Sequence, residues 1–500
     1  MEILNAFMAH LALGFAEAVS LANLWYCFVG VFLGTLVGVI PGLGALITIS
    51  LLLPFTYYLP VDGALIMLAG VYFGADYGGG TCSILLGVPG HPSAAVDVLD
   101  GYPMAKAGRG GVALFIKSIA SAWGSLLGIL LLMMFAPLLA EFAQRFGPAE
   151  YTALMALGLM TCSTVGRGSL LKGVAMMIVG LLIATVGTDV NTGLSRFTFG
   201  FPRLSEGVSL IALAMGLFAL TEVIISAGRS SVAPVAQRFG LRDQLPSRSD
   251  WRDAVPAMAR GSGLGALFGA LPGTSGGMAT FMAYAIEKRF SRHPERFGTG
   301  AIEGIAAPEA CNNAGIGTAM IPTLTLGIPG DAVMALLLAA MMLHGIQPGP
   351  MVMTMQPELF WGLIVSFLIG TVFLLLLNIP LIGLWVRILK IPYPLLFPGI
   401  VLFTCVGIYS TGNSSFDLVL ALIFGVLGYL LHRFRFDVVP LVLGVILGQP
   451  FEENLRRTLL LSEGDFSVFL TRPISLTAVL LIVAIVAWSA LLRARRARGA

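Results

Sequence analysis

Two apolar stretches of the chain each place a carboxylate beside residues that can bind a ligand. Asp76 precedes a glycine-rich run, and Glu309 is followed by the adjacent carboxamides of Asn312 and Asn313. A carboxylate inside an apolar segment is costly unless it is paired, so both acids are candidates for binding a cation. Asparagine has an acceptor oxygen and a donor amide, so the second stretch could bind a cation or a carboxylate. The alternatives are a helix cap or structural ion pair for Asp76 and a solvated helix end for Glu309.

Proline–glycine pairs interrupt two long apolar runs, at Pro41-Gly42 and at Pro272-Gly273. Proline removes a helix hydrogen bond and glycine relaxes the backbone, so each run predicts a broken helix or a re-entrant hairpin. Basic residues flank the second run on both sides, including Arg260 and Lys288. This favours a hairpin whose two ends return to the same side of a membrane. An ordinary kinked span is the alternative.

The amino-acid composition of the chain predicts which kind of secondary structure positions these residues. Of the 500 residues, 57% are hydrophobic and only 11% are charged. Soluble proteins carry about 25% charged residues, so an ordinary soluble domain is excluded. At about 20 apolar residues for each spanning helix, the chain predicts an all-α polytopic membrane protein with roughly 10 to 14 membrane segments in the lipid bilayer. The small net charge of +3 argues against nucleic acid as a partner.

The longest polar stretch divides the chain in two. Residues 228–260 are rich in arginine, and the positive-inside rule predicts a cytoplasmic linker there. We expect a first transmembrane repeat at residues 24–227 and a second at residues 261–492. Residues 1–23 predict an amphipathic N-terminal helix rather than a cleavable signal peptide, and residues 493–500 predict a basic cytoplasmic tail.

The two halves share sequence features in the same order. Leu36–Gly42 matches Leu267–Gly273, and Gly87–Gly90 matches Gly327–Gly330. Two related halves with glycine- and proline-interrupted helices at matching positions are typical of secondary transporters, in which unwound backbone at the midplane binds substrate and ion. If the half-helix N-termini face the site, the substrate should be an anion. Inverted and parallel arrangements of the halves both remain open.

Several other charged residues are expected to lack a functional role. Asp97 and Asp100, with Lys106 and Arg109, predict a solvated loop at the membrane surface. Lys117 lies at the edge of an apolar run, where a long side chain can reach the interface. The five histidines form no cluster and there is no P-loop sequence, so no cofactor, metal site or enzymatic centre is predicted.

Longer motifs give the chain a family resemblance. They are Tyr77-Gly-Gly, Leu85–Gly90, Asp100–Pro103 and Ala307–Ala314. In these motifs, and through nearly its whole length, the chain closely resembles the large membrane subunit of the tripartite tricarboxylate transporters. The resemblance implies a multi-pass secondary transporter of the bacterial inner membrane, driven by an ion gradient. It also implies a small four-helix membrane subunit and a periplasmic solute-binding protein as partners, and citrate or another tri- or dicarboxylate as substrate.

We therefore expect binding-protein-dependent import of a carboxylate, with Asp76 and Glu309 coupling it to Na⁺ or H⁺. The alternatives are an organic-anion channel and a carboxylate transporter that needs no binding protein. We expect Glu309→Gln to abolish gradient-driven uptake in a protein that still folds. The predicted substrate-binding residues are Pro41, Gly42, Gly44, Thr81, Ser83, Pro89 and Gly90 in the first half, and Pro272, Gly273, Thr274, Ser275, Gly276, Asn312, Asn313, Pro329 and Gly330 in the second.

Overall fold

The computed structural model describes most of the chain. The described residues are 2–41, 43–143, 145–165, 170–189, 192–226, 242–271, 276–389 and 393–498. In the first half the α-helices are α1 Glu2–Ala18, α2 Leu21–Gly38, α3 Ala45–Thr56, α4 Val61–Leu86, α5 Asp97–Met104, α6 Gly110–Ala143, α7 Pro148–Val165, α8 Leu170–Ala184, α9 Leu210–Ala214 and α10 Thr221–Ser226.

The second half is also helical. Its α-helices are α11 Arg248–Gly269, α12 Gly276–Phe290, α13 Glu303–Leu326, α14 Ala332–Leu343, α15 Pro350–Met355, α16 Pro357–Asn378, α17 Ile382–Ile388, α18 Tyr393–Gly412, α19 Ser415–Arg433, α20 Val439–Leu461, α21 Val468–Thr471 and α22 Pro473–Arg498. Short 3-10 helices lie at Pro92–Ala95, Pro202–Glu206, Arg242–Gln244 and Pro294–Arg296, and π-helical turns lie at Ala105–Arg109 and Met215–Leu220. Strands β1 Gly187–Thr188 and β2 Ser195–Arg196 pair antiparallel.

Several helices are suited to a membrane by length and composition. Within the described ranges, four are long and apolar enough to cross one: Leu21–Gly38, Asp97–Ala143, Pro357–Asn378 and Ser415–Arg433. Shorter apolar helices of 10–17 residues accompany them. The predicted all-α polytopic membrane fold is confirmed, whereas the number of membrane segments and the repeat boundaries stay predictions.

Both predicted interruptions are present. Helix α2 ends at Gly38 and α3 begins at Ala45, so Pro41 lies in the first break. Helix α11 ends at Gly269 and α12 begins at Gly276, and the intervening residues 272–275, like residue 42, lie outside the described part of the chain. The two helices around the second break lie side by side, as their ion pair shows.

That ion pair joins Arg260 of α11 to Glu287 of α12. The guanidinium Nε donates to Glu287 Oε2 at 2.8 Å and its Nη2 donates to Oε1 at 2.5 Å. Residue 260 precedes the break and residue 287 follows it, so this contact requires the two helices to run antiparallel. The second segment is therefore a hairpin rather than a kinked single span.

Matching helix pairs in the two halves pack in the same way. Glycines spaced four residues apart on one helix lie against backbone carbonyls spaced four apart on the other. A Cβ at any of these glycines would lie within 2.3 Å of the facing oxygen, so only glycine permits the approach. The glycine–carbonyl pairs are Gly30–Met67, Gly34–Val71 and Gly38–Ala75 between α2 and α4, and Gly261–Ala307, Gly265–Cys311 and Gly269–Gly315 between α11 and α13.

The helices α4 and α13 also end alike. Gly87 and Gly327 terminate them in the left-handed conformation, with φ of 68° and 69°. Each is followed by a Pro-Gly turn, after which the side chains of His91 and Asp331 cap the next helix. The sequence match of Gly87–Gly90 with Gly327–Gly330 thus corresponds to one turn that is used twice.

Helices α4 and α13 form the centre of the protein. Every residue from Gly63 to Leu86 is buried, as is every residue from Glu303 to Thr325 except Gly315. Water cannot solvate polar side chains on these two helices, so each must find a partner inside the protein. The predicted N-terminal helix forms as α1 and packs against α16, where His10 stacks on Trp361 with ring centroids 5.1 Å apart.

Candidate functional site

Helix α6 packs closely against α13 because small residues line the contact. A Cβ at Gly124 would lie 2.3 Å from the carbonyl oxygen of Ala310, and one at Gly128 would lie 2.7 Å from that of Ala314. Such close approach lets short side chains reach across the interface. Lys117, Ser121 and Ser125 of α6 are spaced four residues apart and therefore share one face of the helix. These three form the α6 polar face.

Asp76 of α4 and Asn312 of α13 form a direct contact between the two central helices. The Asn312 amide nitrogen lies 2.8 Å from Asp76 Oδ1 and 2.7 Å from Oδ2. Both side chains are 7% exposed. His91 approaches from the following turn, with its Nε2 3.3 Å from Asp76 Oδ1 and 3.2 Å from the Asp76 carbonyl oxygen. The predicted acid and carboxamide are thus paired, although they belong to different halves of the sequence.

Glu309 contacts the α6 polar face. The Ser121 hydroxyl donates to Glu309 Oε2 at 2.6 Å. Asn313 donates to the Glu309 carbonyl oxygen at 3.1 Å and accepts from the Ser125 hydroxyl at 3.4 Å. Glu309 is 4% exposed and Asn313 is fully buried, so the solvated helix end considered for Glu309 is wrong.

Lys117 is a buried member of the same cluster. Its side chain is 0% exposed, its ammonium donates to the Tyr77 carbonyl oxygen, and Nζ lies 4.7 Å from the centroid of the Tyr77 ring. A Cβ at Gly80 would lie 2.5 Å from Glu309 Oε1 and 3.3 Å from Lys117 Nζ, so the carboxylate and the ammonium both lie beside Gly80. The expectation that Lys117 reaches the membrane surface is wrong, because the side chain is fully buried and its ammonium contacts the carbonyl oxygen and the ring of Tyr77 inside the protein.

The predicted solvated loop at Asp97 and Asp100 is also wrong. Asp97 is 2% exposed. Asp100 is 0% exposed and anchors a loop of the second half: its Oδ1 accepts from the backbone amides of Gly298, Gly300 and Ala301, each at 2.8 Å. Arg109 was predicted to lie in the same solvated loop, and its guanidinium forms an ion pair with Asp250 at 2.8 Å.

The cluster lies close to the ends of both broken helices. A Cβ at Gly38, the last residue of α2, would contact the carbonyl of Ala75, which is adjacent to Asp76. A Cβ at Gly269, the last residue of α11, would contact the carbonyl of Gly315, one helical turn from Asn312. The Asp76–Asn312 pair is thus positioned between the two breaks.

Helix α3 begins directly after the first break, and no side-chain cap is formed at its start among the described residues. Its N-cap residue Gly44 has no side-chain cap, and a Cβ there would meet nothing within 4 Å. The first amides of a helix have no intrahelical partner, and the helix dipole favours an anion beside them. The amides at this end can therefore donate hydrogen bonds to a carboxylate. Pro41, the described residue of the first predicted tip, is partly buried nearby, and Gly276 begins α12 on the far side of the second break.

The two predicted hydroxyls of α4 have partners of their own. The Thr81 hydroxyl donates to the Tyr77 carbonyl oxygen at 3.3 Å, and the Ser83 hydroxyl donates to that of Gly79 at 3.1 Å. Ser83 also accepts from the Gly90 amide at 3.4 Å, which ties the turn to the helix. These contacts give both hydroxyls a structural role in the structure described.

The two Pro-Gly turns differ in exposure. Pro89 is exposed and Gly90 is buried, whereas Pro329 and Gly330 are both buried. A Cβ at Gly330 would lie 2.9 Å from Cβ of Ala319, so this turn packs directly on α13. The remaining predicted tip residues, Gly42 and 272–275, lie outside the described residues.

Sequence reasoning overlooked part of the cluster. Lys117, Ser121 and Ser125 repeat every four residues within a long apolar helix, and this helical period could have identified them as one polar face of that helix. The sequence around His91 and Asp97 carries no comparable signal. The turn after α4 brings this part of the chain back to that helix, and no local sequence pattern shows this return.

Comparison with known proteins adds independent information. The sequence model of the Tripartite tricarboxylate transporter TctA family matches residues 24–443. An uncharacterized 52.8 kDa protein of Agrobacterium vitis, described as lying in the TAR-I ttuC' 3'region, is 46% identical over 491 residues, which is 98% of each chain. A second Agrobacterium vitis protein, from the TAR-II ttuC' 3'region, is 50% identical over 234 residues, covering 46% of this chain and 97% of its own length. No solved structure matches the chain.

Proposed function

Since the chain belongs to the tripartite tricarboxylate transporter TctA family, we propose that it is the membrane-embedded subunit that imports an organic carboxylate by cation symport. The family makes it a multi-pass membrane subunit of a tripartite transporter. The proposal extends this to uptake across a bacterial inner membrane of a tri- or dicarboxylate such as citrate. A small four-helix membrane subunit and a periplasmic solute-binding protein would be its partners.

The observation that carries the proposal is the buried cluster of Asp76, Asn312 and Glu309 between two broken helices. Buried acids in a membrane protein mark ion pathways, because their charge is costly without a partner. Helices that begin after a break present uncompensated amides, which favour a negatively charged ligand. Coupled transport of a carboxylate requires acids that bind a cation and a helix terminus that binds an anion, both at one place.

The substrate carboxylates would bind at the breaks. Amides at the start of α3, beside Gly44, would donate hydrogen bonds to one carboxylate. Asp76 and Glu309 would respond to the coupling cation, which neutralises buried negative charge and so favours simultaneous loading of the anion. The binding protein would deliver the substrate and the small subunit would stabilise this chain. Neither partner would contribute residues to the cluster.

The test is uptake of radiolabelled citrate, with competing carboxylates, into proteoliposomes that contain this chain and its small subunit. Uptake is measured with and without the binding protein, under imposed Na⁺ or proton gradients. We expect accumulation that requires a gradient and the binding protein, and that is lost in Glu309→Gln. Equilibration without a gradient would identify a channel, and accumulation without the binding protein would contradict the tripartite mechanism.

A further inference from the structure

His91 directly follows the Pro-Gly turn after α4, and its imidazole ring contacts two different parts of the protein. The Ala94 backbone amide donates to Nδ1 at 3.3 Å and so caps the short 3-10 helix Pro92–Ala95. On the other side of the ring, Nε2 lies 3.3 Å from Asp76 Oδ1 and 3.2 Å from the Asp76 carbonyl oxygen. The ring therefore connects the turn to the central helix α4.

The contact with Ala94 determines which ring nitrogen of His91 carries the proton. A backbone amide can only donate, so Nδ1 must present its lone pair. A neutral imidazole has one protonated nitrogen, which is therefore Nε2. The Nε2–H group lies within hydrogen-bonding distance of the carboxylate and the carbonyl oxygen of Asp76. His91 is thus a neutral donor to Asp76, and helix capping fixes its tautomer.

Glycines of α4 and of the turn allow the His91 ring to lie this close to the helix. A Cβ at Gly79 would lie 2.2 Å from His91 Cδ2 and 2.8 Å from Nε2. A Cβ at Gly90 would lie 2.4 Å from Cα of Gly79. A larger residue at either position would push the turn and the ring away from Asp76. The glycine-rich run of α4 therefore makes the contact between His91 and Asp76 possible.

The equivalent residue of the second half makes the same two kinds of contact. Asp331 follows the matching turn, and its Oδ1 accepts from the Met334 amide at 2.8 Å, which caps α14. Its Oδ2 accepts from the Tyr72 hydroxyl at 2.5 Å. Tyr72 precedes Asp76 by about one helical turn of α4. In both halves the residue after the turn caps the next helix with one atom and contacts α4 with another, so the contact of His91 belongs to a repeated arrangement.

The donors around Asp76 occupy its two carboxylate oxygens unequally. Within the described residues, Oδ1 accepts from His91 and Asn312, whereas Oδ2 accepts from Asn312. Each carboxylate oxygen has about two acceptor positions. Oδ1 is thus saturated, and Oδ2 keeps a position at which a cation can bind. Without the His91 donor, the carboxylate could rotate and present either oxygen, because the last torsion of an aspartate is soft.

We propose that His91 is a positioning residue for Asp76: its Nε2–H group, together with Asn312, holds the carboxylate so that Oδ2 is presented to the coupling cation. The inference rests on the proposed cation symport and deepens it by identifying the residue that orients a cation-binding acid. His91 acts through Asp76 and binds neither the cation nor the substrate. Its loss should weaken cation binding without removing the site.

Two substitutions of His91 separate the donor from the cap. Glutamine extends an amide to the position of Nε2 and restores the donor, but it is not among the favoured N-cap residues. Asparagine ends at the position of Nδ1, so it keeps the cap but cannot reach Asp76. A positioning role predicts that His91→Asn weakens cation binding and that His91→Gln preserves it. A role limited to capping predicts the reverse order.

The measurement is uptake of labelled citrate by proteoliposomes that contain this chain, the small subunit and the binding protein. The concentration of Na⁺ or H⁺ is varied, according to which gradient drives the wild type. We expect His91→Asn to raise the half-saturating cation concentration about tenfold, as the loss of a hydrogen bond to a charged group implies, with a maximal rate close to that of the wild type. His91→Gln should resemble the wild type in both. An unchanged half-saturating concentration in His91→Asn, or a larger shift in His91→Gln, would overturn the proposal.

His293→Asn is the matched control. His293 Nδ1 also lies 3.3 Å from a carboxylate oxygen, that of Glu295, but both side chains are exposed. The half-saturating cation concentration of this variant should equal that of the wild type. A shift as large as that of His91→Asn would contradict an effect that acts through Asp76.

Nitrogen NMR tests the contact of His91 without transport. Wild-type and His91→Gln proteins labelled with ¹⁵N-histidine are compared in detergent, so that the signals lost in the variant belong to His91. We expect the neutral tautomer protonated on Nε2, and a ring protonated on Nδ1 would overturn the proposal. If the wild type accumulates no citrate under either gradient, the proposed function itself fails. Citrate transport with unchanged cation dependence in His91→Asn refutes the positioning role alone.

Discussion

The side-chain amide of Asn312 donates to both carboxylate oxygens of Asp76, at 2.8 Å and 2.7 Å, and so joins the central helix of one half to that of the other. Hydrogen bonds to a charged group typically contribute about 1.5–3 kcal/mol. Asn312→Asp keeps the shape but replaces the donors with a second negative charge. We expect carboxylate uptake in proteoliposomes to fall at least tenfold.

Asn454→Asp provides the control for this change. Asn454 donates to the backbone oxygen of Pro450 on α20, so it receives the same substitution without a carboxylate opposite. Its uptake should match that of the wild type. Normal uptake in Asn312→Asp, with equal protein in the membrane, would show that the Asp76–Asn312 contact is dispensable.

The sequence was sufficient to predict the helix breaks and the central acids. Pro41-Gly42 and Pro272-Gly273 mark the breaks because proline and glycine act locally on the backbone. Asp76 and Glu309 are identifiable because an acid within an apolar run is exceptional wherever it occurs. The charge at both ends of the second segment favoured the hairpin that the Arg260–Glu287 contact demonstrates.

Other features depend on contacts between distant segments. Lys117 has the same local pattern as a lysine that reaches the membrane surface, and only the positions of α4 and α13 decide that it is buried. Asp100 has the composition of a surface loop, but its three amide donors come from residues about 200 positions away. The burial of Lys117 and Asp100 cannot be inferred from the polarity of the residues next to them in the sequence.

Close packing of α11 on α13 predicts a strong dependence on Gly265. A Cβ at this position would lie 1.9 Å from the carbonyl oxygen of Cys311, so Gly265→Ala must separate the two helices. Overpacking of this kind costs about 1–3 kcal/mol. We expect a clear decrease of the melting temperature in detergent, measured by size-exclusion chromatography after heating.

Gly263 on the same helix supplies the comparison. A Cβ there would meet nothing within 4 Å, and alanine has a higher helix propensity than glycine. Gly263→Ala should therefore melt at the wild-type temperature or slightly above it. Equal loss of stability in the two variants would contradict the glycine–carbonyl contact as the cause of the loss in Gly265→Ala.

The ion pair at the start of α11 predicts a pH dependence of stability. Burial raises the pKa of Asp250, but hydrogen bonds from Arg109 and Ser247 outweigh it and hold the pKa below the usual 3.8. The folded state therefore binds this proton less readily than the unfolded state, so the stabilisation is complete above pH 3.8 and is lost as the pH falls through the folded pKa. Asp250→Asn should melt below the wild type at pH 7.

The difference in melting temperature between the wild type and Asp250→Asn should shrink as the pH is lowered below 3.8. Asp253→Asn removes the same charge one turn further along α11 and serves as the control, with a smaller effect at pH 7. A difference for Asp250→Asn that stays constant down to the lowest accessible pH would rule out the ion pair as its source.

The Arg260–Glu287 contact predicts that the second hairpin depends on paired charge. Glu287 is 1% exposed on its side chain while Arg260 is 41% exposed, so solvent weakens the pair from one side only. Arg260→Glu leaves two acids facing each other, and Glu287→Arg leaves two cations, so either change alone should lower the melting temperature. The exchanged variant Arg260→Glu/Glu287→Arg restores opposite charges across the hairpin. It should recover at least half of the decrease in melting temperature that the single variants show. Melting curves of all four proteins decide the matter, and purely additive effects would exclude a direct interaction between the two arms.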